Sequence, residues 1–127
     1  MNRYLYWGTF ALSVFVLQLN IGLGIIVMIW AIIPVLILHA IVGLRLNKIE
    51  QRKDLLTISS LNLLAFSLIR PDGVHAFTDN GLSSLLWIFG VDGGYNRGYE
   101  NYFFWGSVVL LVGQVVIELI LRKEWRR

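Results

Sequence analysis

Two ionisable side chains stand inside apolar runs of this chain, and their placement is what invites chemistry. Glu118 is the only acid between Tyr102 and Leu121, and His39 is the only histidine between Tyr4 and Leu44. An acid inside a membrane-spanning helix costs about 2.5–3.5 kcal/mol on insertion scales, so it faces protein or water rather than lipid. Glu118 precedes Arg122 by one helical turn and so lies about 6 Å deeper along a helix. His39 lies about 9 Å deeper than Arg45 by the same measure. With both helices running the same way, the two side chains share a depth, and a His39–Glu118 pair is open to them. A protonatable pair of this kind is what a proton relay uses. The plainer reading is a buried pair that fixes helix register, with Arg45, Lys48 or Arg122 as other partners for the acid.

Gln114 shares the Glu118 side of its helix. Gly106 and Gly113, a heptad apart, occupy a neighbouring strip where small residues let backbones approach. Asn62, with Thr57, Ser59, Ser60 and Ser67, offers hydrogen bonds across helices. Pro34 is expected to kink its helix and free a backbone carbonyl. Helix packing is the expected role of Gly106, Gly113, Gln114, Asn62 and Pro34, and a polar pore lining is the alternative.

Catalytic and cofactor readings fail on placement. The chain has no cysteine, which excludes disulfides, thiolate metal sites and thiol nucleophiles. His39 and His75 fall on opposite sides of an apolar layer, where one haem cannot join them. No three or four metal-ligating residues share a zinc spacing. Asp92-x-Gly94-x-Asn96 hints at a calcium loop, yet Arg97 and Phe103 stand where Gly and Glu are required. Gly22-x-Gly24 lacks the third glycine of a dinucleotide loop. Asp72, His75 and Asp79 beside Gly81-Leu82-Ser83 lack the nucleophile elbow of a serine hydrolase. No enzyme, cofactor or metal is expected.

The elements that must position these residues follow from composition. Of 127 residues, 57% are hydrophobic and 15% charged, with a mean hydropathy of +0.67. Soluble chains run about 45–50% apolar and roughly 25% charged. The bilayer is the solvent this composition fits. From Tyr4 to Leu44 no residue is charged. A single helix of that length would run roughly 60 Å, twice the hydrocarbon thickness, so the run folds back at Asn20-Ile21-Gly22-Leu23-Gly24. Helices are predicted at about 4–19, 25–44, 55–69 and 102–121. Asp54 is the expected N-cap of the third, which is short for a span but can cross if Arg70 snorkels outward. The external loop, 71–101, carries a short interfacial helix over Leu82–Phe89.

Eleven Lys/Arg against eight Asp/Glu give a net charge of +3. The basic residues gather at Arg45–Lys53 and Arg122–Arg127, directly beside apolar runs, as anchors on anionic lipid do; no nucleic-acid motif accompanies them. The positive-inside rule then sets both termini and the middle loop in the cytoplasm. Tyr4, Tyr6, Trp7 and Trp125 are expected at the inner interface, and Trp30, Trp87, Tyr102 and Trp105 at the outer. The expected fold is one all-α domain over 1–127, a polytopic bundle of four transmembrane helices. A bacterial cytoplasmic membrane fits this pattern, with an organelle membrane left open.

The expected function is a non-enzymatic one. The chain acts through helix and loop contacts with a membrane protein partner, as an accessory, assembly or immunity-type subunit, or with further copies of itself. Trp87, Tyr95, Arg97 and Tyr99 are the expected partner-facing loop residues. The alternative is a small oligomeric channel or proton-coupled transporter using Glu118 and His39.

Overall fold

A computed structural model describes residues 2–19, 21–48, 52–72, 79–91 and 98–125. Among the described residues the architecture is all-helical apart from one minimal antiparallel strand pair. In chain order it runs α1 (Arg3–Leu19), α2 (Leu23–Leu44), a 3-10 turn (Leu46–Lys48), α3 (Lys53–Ile69), β1 (Pro71–Asp72), β2 (Asp79–Asn80), α4 (Gly81–Ile88) and α5 (Glu100–Trp125). The antiparallel strands pair Pro71 with Asn80 and Asp72 with Asp79.

Four long helices pack side by side. α3 lies against α1 on one side and α5 on the other, α2 lies against α5, and α4 sits on α1 and α3. One apolar cluster joins Tyr6 near the start of α1, Val42 near the end of α2, Leu56 near the start of α3 and Leu121 near the end of α5. The other joins Leu17, Ile32, Val35, Leu63, Phe66 and Leu111. The helices therefore alternate in direction, and α1 begins at the end of the molecule where α5 finishes.

The buried stripe of α5 is Ser107, Leu111, Gln114, Glu118 and Leu121, and that of α2 is Ile32, Val35, His39 and Val42. Both alternate three- and four-residue steps, the seam of helices crossing at a shallow angle. The outward faces are apolar: Ile26, Val27, Trp30, Ile33 and Ile37 on α2, and Val109, Val112, Val116, Leu119 and Ile120 on α5. Buried polar residues within the inner stripe of α5 and apolar outward faces on both helices are the reverse of the pattern of a water-facing helix. Two helices, Gly24–Leu44 and Glu100–Glu124, are long and apolar enough to cross a membrane. α1 and α3 have 17 residues each, at the lower limit for a span.

Several local expectations change. α3 starts at Lys53 with Arg52 in the cap position, so Asp54 is a first-turn acid facing the helix dipole rather than the N-cap. Arg70 does not snorkel; it is 0% exposed at the end of α3. Tyr6 is fully buried rather than interfacial, while Tyr4, Trp30, Trp87, Tyr102 and Trp105 are exposed. Gly22 leads into α2 in an extended conformation that needs no glycine (φ −126°). Pro34 is exposed and α2 continues through it, so it contributes no interior packing.

Candidate functional site

The interior polar residues of three helices meet at one point. His39 Nδ1 of α2 lies 2.6 Å from Glu118 Oε1 of α5. Two lone-pair atoms at that spacing require a proton between them. The Ser59 hydroxyl of α3 donates to the same oxygen at 2.7 Å, and Gln114 Nε2 donates to it at 2.8 Å. Gln114 Nε2 also donates to Ser59 Oγ at 2.9 Å. Asn62 Nδ2 extends the chain, donating to Gln114 Oε1 and to the Leu110 carbonyl, each at 2.8 Å. Every link from Asn62 to His39 ties one helix to another except the one-turn step within α5.

The fourth long helix closes the site from the other side. The Tyr6 ring of α1 stacks on the His39 imidazole, centroids 4.4 Å apart and planes 8° from parallel. Its hydroxyl donates to the His39 carbonyl at 2.8 Å. Phe10 covers the imidazole at 5.2 Å. His39, Ser59, Gln114 and Glu118 are all buried from the surface. Two atoms of the pair, His39 Nε2 and Glu118 Oε2, are buried with no hydrogen-bond partner.

The depth argument thus set His39 and Glu118 at one level, and the structure places them in contact, with Gln114 and Asn62 in the same network. Gly106 and Gly113 are half-buried but do not mark a close backbone approach. A Cβ on Gly113 would meet Asn62 Oδ1 at 3.9 Å and one on Gly106 would meet Ile69 Cδ1 at 3.4 Å, ordinary contacts. The tight glycines are two others. A Cβ on Gly43 would come within 2.7 Å of the Tyr6 ring and 2.8 Å of Trp7, and one on Gly81 would overlap the Ser67 carbonyl. Both sit where a helix end rests on a neighbour, a signal that spacing along one helix does not carry.

Trp87 and Tyr99 are exposed. Tyr95 and Arg97 lie outside the described residues, as do His75, Asp92, Gly94 and Asn96. Tyr99 lines an open cavity of ≈ 520 Å³ with Ile69, Tyr102 and Phe103, where the end of α3 meets the start of α5. No three His, Asp or Glu side chains converge as a metal site among the described residues. Compared with protein-family models, curated proteins and solved structures, the chain matches none.

Proposed function

We propose that the chain is a non-enzymatic integral membrane protein of four crossings that acts by contact with a membrane protein partner. The observation that carries this reading is a buried polar network beneath apolar outward faces. A hydrogen-bonded network is enclosed by the long helices, while their outward faces expose Trp30, Ile33, Ile37, Val109, Val112 and Val116. In water such faces would drive aggregation; in lipid they are solvated, and small and polar residues at the interfaces hold the helices together. At 17 residues and about 1.5 Å each, α1 and α3 reach roughly 25 Å, enough with slight local thinning of the bilayer. Both termini and the basic residues Arg45, Arg52, Lys53, Arg122 and Lys123 then lie on the cytoplasmic side.

α4 lies at the outer interface, presenting Leu82, Trp87 and Ile88. The partner-facing surface consists of Trp87, Tyr99 and the aromatic cavity beside Tyr99. Aromatic side chains around a pocket supply the anchors that contact proteins use. The enclosed network favours a clamp over the conduction path of a channel or transporter.

Site-specific photo-crosslinking in intact membranes tests this reading. A photoreactive residue at Trp87 or Tyr99 should give a discrete adduct with one membrane protein, and one at Ile37 on the lipid-facing side should give none. Adducts to lipid alone from all three positions would contradict the proposal.

A further inference from the structure

A clamp made only to hold helices would satisfy all its buried polar atoms, because each unsatisfied one costs about 1–3 kcal/mol. This one does not. Glu118 Oε1 accepts three hydrogen bonds while Oε2 of the same carboxylate has none, and His39 Nδ1 is engaged while Nε2 is not. These two free atoms are where a proton can be added without breaking the Nδ1–Oε1 bond. We propose that His39 and Glu118 form a site that binds and releases one proton, Ser59 and Gln114 acting as positioning residues. The inference stands whether or not the protein works through a partner.

The balance is simple. With the carboxylate ionised and the imidazole neutral, the pair carries one negative charge. A proton from water forms a bond to Nε2 and brings the pair to an ion pair of zero net charge, and the reverse step returns that proton to water. Few other ionisable groups face the site. α1 contributes Tyr6, whose ring and hydroxyl contact His39. Between Leu55 and Ile69 α3 has no ionisable residue, and its contribution is Ser59. α5 contributes Glu118 itself and, one turn further, Arg122, half-buried. On α2 His39 is the one buried polar side chain, so a change of charge on the pair acts directly on the seat of that helix.

The chain has two histidines, which makes the test clean. His75→Gln leaves His39 as the single imidazole, and nitrogen-15 NMR of histidine-labelled protein in lipid nanodiscs reads its two ring nitrogens separately. Over the accessible pH range the Nε2 signal should pass from unprotonated to protonated as pH falls, while Nδ1 stays protonated throughout. Glu118→Gln should abolish that transition within the range. Ser59→Ala, which keeps both ionisable groups, should retain it with a displaced midpoint. An Nε2 signal that is constant with pH in the His75→Gln protein, or one that titrates identically in Ser59→Ala and Glu118→Gln, would overturn the proposal.

Discussion

At the residue scale, what matters at Glu118 is the number of donors on one oxygen. Removing the acceptor strands three of them in the buried interior. Glu118→Ala is therefore expected to cost about 3 kcal/mol or more. Ser59→Ala removes one donor and should cost about 0.6–2 kcal/mol, the range for interhelical hydrogen bonds in membranes. Because they share an atom, the double variant should lose less than the sum of the singles. Thermal melting in a mild detergent checks all three, and additive losses would mean the network is not one unit. The glycines give a second comparison. Gly113→Ala meets only ordinary contacts and should be neutral or stabilising by up to about 1 kcal/mol through helix propensity. Gly43→Ala should destabilise, because the Tyr6 ring it pushes is buried and pinned against His39. The His39–Glu118 meeting was legible in the sequence, since the distance of each from a basic flank sets its depth. Ser59 and Tyr6 were not. Four serines and threonines on α3 look alike until the rotation of the helix is known, and an aromatic near a helix start reads equally well as an interfacial anchor.

At the element scale, the long helices were readable because uncharged runs end at charge clusters or Pro/Gly turns, and their boundaries differ from expectation by only a few residues. The β1–β2 pairing was not, because two-residue strands have no periodicity. The capping of α4 had a signal that a search for apolar runs passes over. Asn80 accepts from the Ser83 amide at 2.7 Å, and the Asn80 amide donates to Ser83 Oγ at 3.0 Å. Asn80→Ala should loosen α4 by about 1 kcal/mol. Gly81→Ala should be worse, since its Cβ falls on the Ser67 carbonyl and on Val16 of α1. Hydrogen exchange of the α4 amides measures both, and the amides of α5 should stay protected in each variant. Equal deprotection of α5 would show instead that α4 is integral to the whole packing.

At the scale of the whole molecule, the account rests on where the four long helices lie relative to lipid. In the proposed four-crossing arrangement, their alternating directions and the placing of basic residues at one end put both chain ends on the same side. Two helices, Gly24–Leu44 and Glu100–Glu124, are long and apolar enough to cross a membrane, and the four-crossing arrangement is the expectation from composition and charge placement. What they left open was whether α3, short and rich in serine, crosses or lies against the others. Topology reporters answer this directly, one fused after Lys53, one after Arg127 and one inserted near Gly94. The account predicts a cytoplasmic signal from the first two and an external signal from the third. An external signal after Arg127 would mean that Leu55–Ile69 does not cross, reducing the protein to three spans and contradicting the four-crossing arrangement.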